Sequence, residues 1–382
     1  MGIRGGAKEY FCTKLLDVLN SGIKRVHLSK FRGKKVVIDW SNIAHRFLSR
    51  SNNMAQFINE FINLIHKFSR ERIEMIFVFD GKPRDEKQQT IDHRKTARDK
   101  VLDKIGSIIE NVTNPEEDFE TILHLAKRVK TLKLQHVNEC KKLFDSLGVR
   151  YIHLEDIEAD SIFKILLDSG IADICFSGDM DILAFGCKRI MQDLNFREDT
   201  VVEIDYEILL TYLGVSSQQL LMAFILSGTD WNNGIKRSNF ARNLELIKKY
   251  GDIPTIIANL EEINRYLPEE KHIGFPNRFD WQFSFAVYSE LLGTEILYTI
   301  HNILIQQEKN IENLKSQDGY NILLEYGKFI LANDSDLKYT KKFQEYTFWK
   351  YSYRFNFTSP SGFKQKAAQC TDLKQVQKKV KN

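Results

Sequence analysis

Cysteine is scarce: five residues in 382, an odd number, scattered at positions 12, 140, 175, 187 and 370 with no C-x-x-C pair. No disulfide framework is indicated, and nine histidines without an H-x-H or H-x-x-x-H cluster argue against a zinc site as well. Proline, at six, is also sparse, so little of the chain reads as linker. Long apolar runs are missing. The longest, Leu220 to Leu226, falls far short of the ~20 residues of a membrane span, and no signal segment opens the chain. These absences point to a soluble, non-secreted protein that meets no membrane. An excess of one charge is missing too: 55 Lys+Arg against 51 Asp+Glu leaves +4, less than a dedicated nucleic-acid binder carries.

What is plentiful is apolar and aromatic side chain, 43% hydrophobic with 26 Phe and 14 Tyr, enough for one large domain or two smaller ones and too much for disorder. The charge is unevenly spread. Residues 363–382 hold six lysines and one aspartate, which leaves the rest near neutral. There is no internal repeat of fixed period.

Short β-rich runs at 35–38, 75–79, 149–152 and 174–177 read as strands, and 53–70, 137–147 and 161–168 between them have the spacing of crossover helices. The pattern predicts an α/β fold with a mostly parallel sheet covered on both faces. Beyond about residue 257 helical patterns dominate, so an α/β domain over 1–256 is expected, followed by a helical region over 257–362 and the basic tail. Residues 81–136 are far longer than a crossover needs. They read as an inserted pair of basic helices, kinked at the acidic breaker Asn114-Pro115-Glu116-Glu117-Asp118, with Pro83 in the first turn of the first helix.

Each strand is followed by acid. Asp39 and Asp80 close the first two, Glu158 and Asp160 follow the third, and Asp179 and Asp181 follow the fourth. The carboxyl ends of parallel strands open into one crevice, so these acids are expected to converge there. One Asp after a strand is more often a helix N-cap than a ligand, but six in register are not explained as caps. Carboxylates crowded together repel unless cations lie between them, and oxygen-only donors select hard ions, Mg²⁺ or Mn²⁺. The two i, i+2 pairs would diverge by about 200° on a helix, so each is expected to straddle a loop-to-helix junction. Asp230, after a helical apolar run, is a seventh candidate. Neutralising seven of the 51 acids would leave a basic surface around an acidic pit, which suits a phosphodiester. Lys87 and Arg94, about two helical turns apart on one face, would overhang it, or be ordinary surface cations.

In order and spacing these residues resemble the flap endonucleases of the XPG-type 5′-nuclease superfamily. Met1-Gly2-Ile3-Arg4-Gly5-Gly6-Ala7-Lys8 is similar to that family's opening, and Val37-Ile38-Asp39 and Val78-Phe79-Asp80-Gly81-Lys82-Pro83 to its first two metal motifs. Glu158-Ala159-Asp160, Gly178-Asp179-Met180-Asp181 and Ser227-Gly228-Thr229-Asp230 resemble the other three, and Gln135-His136 with Glu139-Cys140-Lys141 adds a local match. The resemblance implies a PIN-like 5′-nuclease fold: an N-terminal part (1–105), a helical arch (82–135), an internal part (136–256) and a helix-hairpin-helix-like segment. It implies that the seven acids hold two Mg²⁺ ions directly or through water. Lys87 and Arg94 would act as the arch cations. Gly2, Arg4, His45, Arg98, Lys236, Arg237 and Arg242 would contact DNA.

Three departures stand out. The hairpin stretch Ile235-Lys236-Arg237-Ser238-Asn239-Phe240-Ala241-Arg242 lacks the family's Gly-x-Gly, the base-stacking tyrosine is replaced by His45, and the last forty residues carry no clamp-binding peptide. The expected function is structure-specific cleavage of DNA flaps, nicked or gapped duplexes by two-metal hydrolysis, as a monomer, without sliding-clamp recruitment. A PIN-like nuclease acting on RNA and a non-catalytic junction scaffold are the alternatives. The basic tail suits non-specific DNA contact, a nuclear signal or plain solvation. The setting would be the nucleus, or a cytoplasmic replication site if the source is a large DNA virus, which Lys/Ile/Asn-rich usage permits.

Overall fold

Hydrophobic runs and their breaks translate into a seven-stranded sheet in the computed structural model, which describes residues 3–84, 87–111, 115–265, 267–276, 279–290 and 293–313. The strands are β1 (Ile23–His27), β2 (Lys35–Asp39), β3 (Glu74–Phe79), β4 (Arg150–His153), β5 (Ile174–Phe176), β6 (Arg189–Asn195) and β7 (Thr200–Asp205), in the order β1-β7-β6-β5-β2-β3-β4. The five from β6 to β4 are mutually parallel, and β7 runs antiparallel to both β6 and β1. From β2 the chain builds outward through β3 to β4, then returns to lay β5 on the other side of β2. That reversal opens a crevice at the carboxyl ends of β2 and β5.

The sequence pattern led to four strands; β1, β6 and β7 are the correction. Their apolar alternation is broken by charge, as at Glu203, which is buried on β7 and held by Lys30 and by Arg189 at 2.7 Å. Partners distant in the chain make that burial tolerable, and no local pattern reveals them.

The helices, in chain order, are α1 (Ala7–Glu9), α2 (Trp40–Arg50), α3 (Met54–Arg70), α4 (Gln88–Glu110), α5 (Pro115–Val129), α6 (Leu134–Leu147), α7 (Ala159–Asp168) and α8 (Asp181–Ala184). They continue with α9 (Tyr206–Leu213), α10 (Ser217–Ser227), α11 (Phe240–Tyr250), α12 (Ile253–Ala258), α13 (Leu260–Arg265), α14 (Trp281–Ser289) and α15 (Thr294–Asn313). On one face of the sheet a phenylalanine-rich core packs α2, α3 and α6, with Phe77 and Phe144 stacked at 4.3 Å and Phe61 edge-on to both. Such a ring is worth ~3–5 kcal/mol against alanine. Among the described residues no single helix is long and apolar enough to cross a membrane.

Two local expectations change. The first insertion helix begins at Gln88, not at Pro83. Gly81 donates to Ile157 O at 3.0 Å, and an added Cβ there would meet Leu154 O at 2.2 Å, so the strand exit is sewn to the 154–157 loop and Pro83 stays outside the helix. Second, the insertion folds as the expected two helices, but they part ahead of the acidic run: α4 ends at Glu110 and α5 begins at Pro115, so Pro115-Glu116-Glu117-Asp118 forms the first turn of α5, where proline's missing N–H would have had no intrahelical partner. Residues 314–382, including the basic tail and much of the expected C-terminal region, lie outside the described residues.

Candidate metal centre

Strand ends and helix starts place the acids. Asp39 ends β2 and caps α2: its Oδ1 accepts from Asn42 N at 2.9 Å. Its Oδ2 accepts from Ser177 Oγ at 2.7 Å, which ties β2 to β5 across the sheet reversal. Asp39 is thus both a cap and a candidate ligand. Asp80, beyond β3, accepts from Ala159 N at 3.1 Å, which holds it against the start of α7. Glu158 is the extended N-cap of α7 and Asp160 lies in its first turn; Asp181 opens α8, and its N–H donates to Asp179 Oδ1 at 3.1 Å. Both pairs straddle a loop-to-helix junction. Asp230 follows α10 in a tight loop where Thr229 Oγ1 accepts from Trp231 N at 3.1 Å.

The acids share one electrostatic basin. Burial, and then the charge of Asp80, push Asp39 up to about 7. Desolvation first and Asp179 second raise Asp160 well above the usual carboxylate range, with Asp39 and Asp80 adding to it. Asp181 is raised likewise by burial, then by Asp179 and Asp230. Lys87 draws the remaining acid into the group. Burial alone would lower its ammonium, but Glu158, then Asp160, with Asp230 further down, hold it above its ordinary value.

Both arch cations reach the basin. Lys87 Nζ lies 2.7 Å from Glu158 Oε2 and 4.5 Å from the centre of the Trp231 ring. Arg94 grips Asp230 with Nη2 at 2.8 and 3.1 Å from its two carboxylate oxygens, and Thr90 Oγ1 donates to Asp230 O at 2.9 Å. His45, on α2, has Asp80, Arg94 and Arg98 as its charged neighbours.

The donors fit hard divalent ions in chemistry: all are carboxylate oxygens, and Asp181 Oδ1 is buried with no hydrogen-bond partner. They share the basin without closing a shell, since among the described residues no three acidic, histidine or cysteine side chains surround a single point.

The remaining candidates lie elsewhere. Arg4 Nη1 bonds Asn233 Oδ1 at 3.3 Å, on the loop joining α10 and α11. On the same loop Lys236 N bonds Gly274 O at 2.7 Å and Arg237 Nη1 bonds Glu269 O at 2.8 Å, and from the first turn of α11 Arg242 Nη1 donates to Arg237 O at 3.4 Å. Arg237 has φ 59°, a conformation glycine usually supplies. Gly2 lies outside the described residues. Pattern reading missed Ser177, Trp231 and Tyr288, which carry no acid or cation and adjoin the basin only through folding.

Known proteins resemble the chain along its whole acidic framework. The XPG N-terminal domain matches residues 1–101, which contain Asp39, Asp80, Lys87 and Arg94, and the XPG I-region matches 148–230, which contain the other five acids. Flap endonuclease 1-B of Oryza sativa subsp. indica is 28% identical over 286 residues, covering 71% of this chain and 66% of its own length. Flap endonuclease 1 of Drosophila yakuba is 29% identical over 283 residues, 70% of each chain. The chain therefore spans about two-thirds of the length of these relatives, and plant and animal relatives lend no support to a viral source. The catalytic core of Rad2 in complex with DNA substrate shares the fold at TM-score 0.53 and 20% identity, over 77% of this chain and 83% of that one. The Holliday junction-resolving enzyme GEN1, in complex with product DNA, Mg²⁺ and Mn²⁺, does so at TM-score 0.52 and 14% identity, over 74% and 65%.

Proposed function

Because this chain belongs to the XPG family of nucleases, we propose that it is a divalent-metal-dependent, structure-specific 5′-nuclease that hydrolyses DNA beside a single-strand/double-strand junction, with the 5′ flap as substrate. One observation carries the reading: seven acids from both halves of the sheet share a basin overhung by Lys87 and Arg94. Two Mg²⁺ ions, or Mn²⁺, held there directly or through water, would supply the charge that activates a water for in-line attack and steadies the leaving oxygen.

The chain's own residues draw in and orient the strand. Lys87 and Arg94 would exchange Glu158 and Asp230 for phosphate oxygens, and the planar fork of Arg94 suits that exchange. The single strand would pass the α4–α5 arch, with Arg98 on its backbone and His45 as a base platform. Lys236, Arg237 and Arg242, with Arg4 bonded to Asn233 ahead of them, would hold duplex phosphates, and Gly2 would add a further DNA contact. Specificity would come from junction shape, because phosphate contacts position without reading sequence. The names of the rice and fly relatives favour a flap over a four-way junction. The enzyme would work as a monomer on replicating or damaged DNA in the nucleus, without clamp recruitment through its last forty residues.

The test is cleavage of labelled 5′-flap, nicked, bubble, four-way, single-stranded DNA and RNA substrates, with Mg²⁺ and with chelator. The flap should be cut fastest, only with metal, and Asp179→Ala should bind it without cutting. Faster cutting of RNA, or an active Asp179→Ala protein, overturns the reading.

A further inference from the structure

Helix α14 lies beyond the stretches that match the family, yet it returns to the acidic basin. Ser284 Oγ donates to Asn232 Oδ1 at 3.1 Å; both residues are buried, and Asn232 lies two residues along from Asp230. Phe283 meets Trp231 edge-on at 6.4 Å, and Glu290, just after the helix, pairs with Arg84 at the base of the arch. These ties fix the helix in both position and rotation.

Tyr288 is the residue this fixing delivers. Its ring packs at 4.9 Å on Phe185, which caps the short helix that Asp181 begins, and the residue is only 4% exposed. Its hydroxyl is buried without a hydrogen-bond partner, and so is Asp181 Oδ1. Asp181 is the first charged neighbour of that hydroxyl, ahead of Asp230 and Asp179. A buried polar atom without a partner is costly, and ring packing alone would be served equally by phenylalanine. A phenol can donate and a carboxylate can only accept, so the pair is complementary.

We propose that Tyr288 is a positioning residue whose hydroxyl donates to Asp181 Oδ1 and fixes that carboxylate's orientation toward the divalent ions. The proposal rests on the metal-site reading above. A partner of this kind stands one step outside the ligands, and its loss typically weakens metal affinity about 10–100-fold. The region after residue 256 would thereby have a part in the chemistry.

The test compares the full chain with Tyr288→Phe, which keeps the ring. Mn²⁺ binding without DNA is measured by calorimetry, together with melting temperature, flap affinity and single-turnover rate across a Mg²⁺ titration. Expected are ~10-fold weaker Mn²⁺ binding and a matching rise in the Mg²⁺ needed for half-maximal rate, with melting temperature and flap affinity unchanged. A variant that binds Mn²⁺ as tightly as the parent, at the same Mg²⁺ dependence, overturns the proposal alone. A parent chain that binds no Mn²⁺ overturns the metal-site reading and this proposal with it.

Discussion

Ser177 Oγ donates to Asp39 Oδ2 at 2.7 Å and accepts from Asp179 N at 3.1 Å, so one hydroxyl joins the ends of β2 and β5 where the sheet reverses its direction of growth. It holds together two acids that are 140 residues apart in the chain. Ser177→Ala removes both bonds in a 1% exposed position and is expected to cost ~1–2 kcal/mol of stability. Cleavage should fall while flap binding is kept. Thermal unfolding and single-turnover kinetics check both, and an unchanged rate would deny Ser177 a part in shaping the basin.

Arg94 spans from the arch to Asp230 with two contacts, at 2.8 and 3.1 Å. If the same fork meets the scissile phosphate, Arg94→Ala should slow the cutting step about 10²-fold, the scale of a lost charge-stabilising donor. Flap affinity should change only a few-fold. A loss confined to affinity, measured by anisotropy, would make Arg94 a plain phosphate contact.

Removing metal should show in stability as well as rate. Asp160 is raised by desolvation and by Asp179, Asp39 and Asp80, so its charge strains the ion-free fold. In chelator at neutral pH, Asp160→Asn should melt about 2–4 °C above the parent, the shift for ~1 kcal/mol in a domain of this kind. Saturating Mg²⁺ should raise the parent and narrow or reverse that gap. Equal melting curves with and without Mg²⁺ would count against ion binding by these acids.

Glu203 gives a pH signature outside the basin. Burial would raise its carboxyl, but hydrogen bonds from Lys30 and Arg189 outweigh that and hold it below its ordinary value. Its stabilisation is therefore complete above the unfolded carboxylate range, about pH 4.3, and is lost as pH falls through the lower folded value. Glu203→Gln should cost about 1–2 kcal/mol at pH 7, modest because Lys30 and Arg189 are 40% and 37% exposed. The gap to the parent should close toward pH 3 in acid-dependent melting curves; a gap independent of pH would mean that packing, not charge, is lost.

Much of this was legible from local pattern. The runs at 35–38, 75–79 and 174–177 are apolar on both faces because helices cover both, and the acids after them stand where parallel strands end. The i, i+2 spacing of 158/160 and 179/181 announced the start of α7 and α8. Helix α4 was misjudged at its start because proline's local preference lost to the sewing of Gly81 onto the 154–157 loop. The strands β1, β6 and β7 escape the local pattern because charges interrupt their alternation and find partners on other elements, Arg25 with Asp193 and Glu203 with Lys30 and Arg189.

By itself the sequence determined which residues carry negative charge, that each follows a strand or a helix, and that oxygen alone would face any ion, because side-chain chemistry and backbone period are local properties. Only the tertiary structure decided who their neighbours are. Ser177 reaches Asp39, Arg94 reaches Asp230 and Tyr288 is set beside Asp181 through contacts more than a hundred residues apart, fixed by strand order and helix packing. Burial and proximity depend on where the chain returns, and no window of sequence contains that.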